Sequence, residues 1–357
     1  YTAFLANMWS ECPNWRKTQP EAGFYLTNEG KIRIALTSPT TYGSGYISQK
    51  DEKFIMSNIS VYEKTKILSI DKIREKYICL TEKNKITAKK VVIACHYPFF
   101  LFPFFMPLKS YLERSYICAL KTTKPYELSA ITPNSEIKSL RYYKDKYLIY
   151  LTGSHNLCDK TNIKQNYDNL FNEAKKLENE ICYYWSNEDI ITSDNLPYIG
   201  VISDSHPNMY LGTGYNTWGM TNGTIAGKVI SDLILERENK YEKIFSPTRS
   251  LNLSKLTHFP LNIYSSSKSY IENKIIKNKS FYNDNINFTK MNGENVAIYK
   301  DENGKDHIVY NKCPHMKCSL VFNEYEKTWD CLCHSSKFDI DGKCIKGPSK
   351  YNISYKK

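Results

Sequence analysis

The stretch that most constrains this 357-residue chain is residues 311–339, NKCPHMKCSLVFNEYEKTWDCLCHSSKFD, which holds four of the eleven cysteines and two of the seven histidines. Cysteine and histidine at that density ask for a metal. Two groups stand out: Cys313-Pro314-His315 and, after fifteen intervening residues, Cys331-Leu332-Cys333-His334. Each offers a thiolate and an imidazole from a short loop.

Two metal chemistries draw on such atoms. A two-iron, two-sulfur cluster of the mixed-ligand kind takes two cysteines on one iron and two histidines on the other. That assigns Cys313, His315, Cys331 and His334 as ligands. A Cys2His2 zinc site uses the same donors, but spaces its cysteines about two to four residues apart and its histidines about three to five. The pattern Cys-x-His plus Cys-x2-His fits zinc poorly. A cysteine-rich loop without metal is the bland alternative, and ligand type and spacing favour the cluster.

Residues 313–353, CPHMKCSLVFNEYEKTWDCLCHSSKFDIDGKCIKGPSKYNI, resemble the C-terminal Rieske domain appended to a family of bacterial FAD-dependent oxidoreductases of the glycine-oxidase and D-amino-acid-oxidase type. The resemblance implies a [2Fe-2S] cluster, a disulfide between Cys318 and Cys333 that tethers the two loops, and a Ser336 hydroxyl bonded to a cluster sulfur. Against the usual CPCHGSRFD, this chain has Leu332 for proline, Ser335 for glycine and Lys337 for arginine. The first change loses backbone stiffness, and the second strains a turn where glycine tolerates a positive φ. None of the three removes a ligand.

Upstream, the resemblance begins near residue 55. NISVYEKTKILSI, KYICLTE and ITAKKVVIACHYP read as strands from their alternation and β-branched content, with residues 91–94 as a buried strand. In the family the strand at Lys66-Ile67 passes the adenine end of FAD, and the loop holding Cys95 and His96 approaches the pyrophosphate. His96 is thus a candidate flavin or substrate contact, with an ordinary structural histidine as the alternative.

SYICALK, SLRYYKDKYLIYLTGSH and CYYWSNED read as antiparallel strands of a substrate sheet with a turn at Lys144-Asp145. Ile163, Tyr167, Leu170, Phe171, Ala174 and Leu177 form the stripe of an amphipathic helix. Arg141 is the candidate to grip a substrate carboxylate with its guanidinium fork, and a surface ion pair is the equal alternative.

In NMYLGTGYNTWGMTNGTIAGKVISDLILE, a strand ending at Leu211 meets Gly212 and Gly214, whose missing Cβ atoms allow close backbone approach to a ligand. A helix from about Thr221 would present free amides to anionic charge. In the family the turn Trp218-Gly219-Met220 borders the isoalloxazine ring. A glycine-rich turn without a ligand is the plain alternative.

Flavoenzymes of this type bind the pyrophosphate with Gly-x-Gly-x-x-Gly, followed about 20 residues later by an acidic ribose contact. The sequence has no such fingerprint, and Gly43-Ser44-Gly45 is too short a match. The expectation is that the nucleotide-binding segment is missing, so that FAD, implied by the family, binds weakly or not at all.

The expected fold class is α+β: an incomplete flavoenzyme body of mixed sheet plus helices, followed by a small all-β Rieske domain. The expected division is an unassigned segment 1–54, a flavoenzyme-like body 55–245, a linker 246–280 and a Rieske domain 281–357. In the last, a strand, an Asp-Glu-Asn-Gly turn and a second strand feed the first ligand loop.

The formal charge of +12 is spread as singles and pairs, the pattern of a solvated lysine-rich surface and not of a nucleic-acid footprint. The most apolar run, YPFFLFPFFMPL at 97–108, is interrupted by prolines and falls short of the roughly 20 residues of a spanning helix. It reads as a buried loop or pocket wall, with no transmembrane segment. Cys12, Cys79, Cys95, Cys118, Cys158 and Cys182 stand singly, as in a protein of the reducing cytoplasm.

The resemblance implies an oxidoreductase in which a small amine or amino-acid-like donor reduces flavin by two electrons and the cluster passes electrons singly to or from a partner protein. The rival is an electron-transfer protein whose body no longer binds FAD. A Rieske oxygenase would need a two-histidine, one-carboxylate iron site, and no convincing triad is apparent.

Overall fold

The computed structural model describes residues 62, 65–100, 103–124, 129–132, 137–143, 146–156, 163–178, 180–249 and 285–356, together with the strand backbone at 23–26 and 32–35. The Gly43-Ser44-Gly45 turn, the Lys144-Asp145 turn, Cys12, Cys158 and the linker beyond residue 249 lie outside the described residues. The chain forms two compact units, each made of two stretches: 1–110 with 189–258, and 111–188 with 259–357.

In chain order, β1 (Gly23–Leu26) and β2 (Ile32–Ala35) pair antiparallel. β3 (Ile67–Ile73), β4 (Lys76–Thr81) and β5 (Lys85–Ala88) form an antiparallel meander. β6 (Val91–Ile93) buries only Ile93 fully, so the strand expected at 91–94 is shorter and less covered than its apolar run suggests. The aromatic run that follows buries Tyr97, Phe104 and Met106. Its last residues form a 3-10 turn, Met106–Leu108.

Next come β7 (Ser110–Lys121), β8 (Ala130–Ile131), β9 (Lys138–Tyr143), β10 (Tyr147–Asn156), α1 (Ile163–Ala174) and β11 (Ile181–Thr192). The strands form one sheet in the order β11-β7-β10-β9-β8. Side chains two apart on a strand share a face, and Tyr116, Cys118 and Leu120 of β7 use theirs to meet Tyr167, Leu170 and Ala174 of α1. The predicted helical stripe is the buried face. Leu177 lies just past the helix end and packs against the same core.

β12 (Tyr198–Val201) runs antiparallel to β13 (Met209–Thr213), which pairs parallel with β6. α2 (Gly219–Ile234) covers this sheet with Ala226, Val229 and Ile230, and α3 (Glu242–Phe245) follows. α2 begins two residues earlier than the sequence suggests. The Asn222 N–H already donates to the Trp218 carbonyl at 2.9 Å, which draws Gly219 and Met220 into the first turn.

The last stretch holds β14 (Ile286–Met291), β15 (Glu294–Lys300) and β16 (Asp306–Tyr310) in one sheet. A second sheet contains β17 (Val321–Asn323), β18 (Thr328–Asp330), β19 (Lys337–Phe338) and β20 (Cys344–Lys346). The hairpin between β15 and β16 turns on Asp301, whose Oδ1 accepts the N–H groups of Asn303 and Lys305, each at 2.9 Å. Gly304 supplies the left-handed residue, φ +78°. Val309, Phe322, Trp329 and Phe338 fill the core. The α+β class read from the sequence is the class observed. Among the described residues no helix is long and apolar enough to cross a membrane.

Candidate metal centre

The two cysteine-histidine loops leave the ends of β16 and β18 and close in the same way. In the first, the Cys313 N–H donates to the Cys318 carbonyl, and the Lys317 N–H donates to the Cys313 carbonyl, both at 2.8 Å. In the second, the Cys331 N–H donates to the Ser336 carbonyl at 2.8 Å, and the Ser335 N–H to the Cys331 carbonyl at 2.9 Å. The residue four beyond each cysteine is left-handed, with φ +62° at Lys317 and +61° at Ser335. The strain expected where Ser335 replaces glycine is therefore present.

This closure aims amides back at each sulfur. Cys313 Sγ receives the N–H groups of His315 and Met316 and the hydroxyl of Ser336, while Cys331 Sγ receives those of Cys333 and His334. Both cysteines are 1% exposed. The Cys331 thiol donates to Cys313, which lowers the Cys313 pKa to about 7 and raises that of Cys331. The rings of His315 and His334 sit edge to face, centroids 4.9 Å apart. Burial lowers His315 to about 4, with Lys350 adding to it, and lowers His334 to about 3, so both imidazoles are neutral as metal ligands must be.

A disulfide joins Cys318 to Cys333 and so ties one loop to the other. Ser336 Oγ accepts the Ser349 N–H at 2.9 Å, which orients its hydroxyl toward Cys313. Two buried sulfurs and two neutral imidazoles on a pair of like loops fit a [2Fe-2S] cluster with cysteines on one iron and histidines on the other.

A second cluster of polar groups, missed in the sequence reading, lies in the same compact unit. Arg114 on β7 reaches Glu188 on β11 with Nε at 2.8 Å and Nη2 at 2.7 Å, and reaches Asp330 with Nη1 at 3.0 Å. Lys346 Nζ lies 2.6 Å from the other Glu188 oxygen. Lys337 Nζ lies 2.9 Å from Glu326 Oε2 and 3.0 Å from Ser186 Oγ. Tyr167 on α1 donates to Glu326 at 2.6 Å.

Burial alone would raise the Glu188 pKa, but Lys346 and Arg114 outweigh it and hold the group below its ordinary range. At Glu326 burial is likewise outweighed, by Lys337 together with the Ser186 and Tyr167 hydroxyls and Arg114, and the pKa is lowered. At Asp330 burial prevails and the pKa rises, with Arg114 and Lys337 pulling against it. The available signal was positional: Arg114 shares a strand face with the core residues Tyr116, Cys118 and Leu120.

The residues expected on the flavin side lie mostly in the other unit. Ile67 opens β3. The carbonyl of His96 accepts the Thr213 hydroxyl at 2.7 Å, which brings the His96 loop beside Gly212 and Gly214. A Cβ on Gly212 would lie 2.9 Å from the Tyr215 hydroxyl, and one on Gly214 only 2.4 Å from a Thr192 methyl. The space freed by these glycines is thus used by the protein's own side chains. Trp218 caps α2 and is 61% exposed, with Gly219 next in the helix. The Met220 side chain lies outside the described residues. Arg141 lies half-buried on β9, and burial lowers its pKa to about 10.

Comparison with known proteins matches residues 52–233, just over half of the chain, to the FAD dependent oxidoreductase family, and residues 272–355 to the Rieske [2Fe-2S] domain. The Bacillus subtilis (strain 168) Rieske 2Fe-2S iron-sulfur protein YhfW is 29% identical over 317 residues, covering 85% of this chain and 62% of that protein. The chain thus spans less than two thirds of that relative's length. The cytochrome b6-f complex iron-sulfur subunit of Nostoc punctiforme is 29% identical over 59 residues, 16% of this chain and 33% of the subunit. Glycine oxidase from Geobacillus kaustophilus is similar with a TM-score of 0.47 at 16% identity, over 70% of this chain and 71% of that one.

Proposed function

The chain belongs to the family of FAD-dependent oxidoreductases and carries a Rieske [2Fe-2S] domain, and from that premise we propose that it passes electrons between a flavin and the cluster, drawn from an amine or amino-acid-like donor. The observation that carries this reading is the convergence of Cys313, His315, Cys331 and His334 on two loops of like geometry. When bound, the flavin supplies two-electron oxidation and the cluster supplies one-electron transfer.

The chain's own residues hold, orient and insulate. The amides of residues 315 and 316, and of 333 and 334, donate to the two ligand sulfurs and offset their negative charge. Ser336 adds a hydroxyl to Cys313. The disulfide keeps the loops in register. Arg141 is the proposed carboxylate clamp, and His96, Gly212, Gly214, Trp218, Gly219 and Met220 form the proposed flavin side with Ile67.

The site loops 311–320, 331–336 and 345–351 contain Lys312, Lys317 and Lys350 and no carboxylate, while Lys346 is taken up by Glu188. The electron partner is accordingly an acidic protein, and the working compartment is the cytoplasm. A second reading, an electron-transfer protein without FAD, draws on the filled space at Gly212 and Gly214 and on the absent phosphate fingerprint.

The test is a visible spectrum of the purified chain with iron, acid-labile sulfide and flavin quantified. Iron and sulfide should be present in equal amounts and be lost in His315→Ala and Cys331→Ala. Unchanged iron and sulfide in both variants would sink the ligand assignment. Flavin below stoichiometry favours the second reading, and tightly held stoichiometric FAD the first.

A further inference from the structure

Asp330 immediately precedes the ligand Cys331, and Lys337 follows Ser336, so the second ligand loop is bracketed by two side chains of the buried charge network. Three cations, Arg114, Lys337 and Lys346, face three carboxylates, Glu188, Glu326 and Asp330. Arg114 stands on the five-stranded sheet and is the group that spans two of the carboxylates. Its fork takes Glu188 with two nitrogens and Asp330 with the third. Arg114, Glu188 and Asp330 are each 1% exposed or less. Water therefore screens little of this field, and a charge missing from it is felt strongly.

We propose that Arg114 is a positioning residue for the cluster site: through Asp330 it fixes the entry to the loop of Cys331 and His334, so that the five-stranded sheet helps to set the reduction potential. The proposal rests on the ligand assignment given above. Asp330 is further held by the Thr328 hydroxyl at 2.7 Å, with Asn323 Nδ2 at 3.5 Å, so its carboxylate has a defined seat. Arg114 supplies the opposing charge from the sheet. Without that fork, the Asp330 charge is less compensated beside a cluster that gains an electron on reduction. The reduced state then loses stabilisation.

Two single variants and their double test this in the full chain, by redox titration and by electron paramagnetic resonance of the reduced protein. Arg114→Lys keeps a cation but replaces the fork with a point charge that cannot span both carboxylates. Iron and sulfide content should stay at the parent level while the potential falls and the resonance line shape changes. Asp330→Asn removes the opposing charge and should raise the potential. In Arg114→Lys/Asp330→Asn the potential should match that of Asp330→Asn alone, because no Asp330 charge is left for the fork to compensate.

A purely structural role would lower the melting temperature and leave the potential unmoved. Unchanged potentials, or shifts of the same sign in the two single variants, overturn the proposal. If Arg114→Lys fails to fold, the sign of the Asp330→Asn shift still decides it: a fall or no change overturns it. Absence of iron and sulfide from the parent chain would instead overturn the ligand assignment.

Discussion

The loops at Cys313 and Cys331 and the turn at 212–218 both bend through left-handed backbone, but to different ends. In the loops, Lys317 and Ser335 turn the chain so that successive amides converge on a sulfur. In the turn, Gly214, Asn216 and Thr217 are left-handed, and the bend packs the protein against itself. Asn216 Oδ1 accepts the Thr192 N–H at 2.7 Å, and a Thr192 methyl fills the space over Gly214. A sharp glycine-bearing turn is therefore weak evidence for a ligand, while a turn that aims donors at a buried thiol has a chemical purpose that its own packing does not supply.

The largest effect that would sharpen this contrast is expected at Gly214→Ala. The change adds a left-handed penalty and a Cβ contact that something must move to relieve. Stability should fall by about 2–4 kcal/mol in denaturant titration, with iron content per folded chain unchanged. A cost under about 0.5 kcal/mol would mean that the turn has room to spare, and would reopen it as a ligand cradle.

Ser336→Ala comes next. It removes the hydroxyl that donates to Cys313. The reduction potential should drop by roughly 40 mV, the equivalent of one hydrogen bond of about 1 kcal/mol in a one-electron couple, without loss of iron. An unmoved potential in protein with full iron would show that the hydroxyl serves only the Ser349 amide.

The smallest effect is expected at Ser335→Gly. Ser335 is buried and left-handed, and its hydroxyl has no hydrogen-bond partner among the described residues. Glycine removes both penalties at the cost of a more flexible unfolded chain. Cluster-free protein should gain about 1 kcal/mol in a melting comparison. A loss of stability on this substitution would break the parallel drawn between the two loops.

The proposed cluster site was legible because its candidate ligands are close in sequence and chemically distinctive, so that four residues within 313–334 name both loops without knowledge of the fold. Strand alternation and the helical stripe gave the sheet strands and α1 for the same reason: they are local periodicities. The start of α2 was read two residues late because its first turn has no side-chain cap to mark it.

Other features depended on parts of the chain far apart in sequence. Arg114, Glu188 and Asp330 are separated by more than seventy residues at each step, and although strand alternation puts Arg114 on the face of Tyr116, Cys118 and Leu120, nothing local names its partners. Only the pairing of β7 with its sheet, and the seating of residues 326–346 in the same unit, decide that these charges must meet. Sequence thus determined the donors and the local bends that present them. Tertiary structure decided which distant charges lie beside those donors, because desolvation and Coulomb energy depend on separation in space and not along the chain.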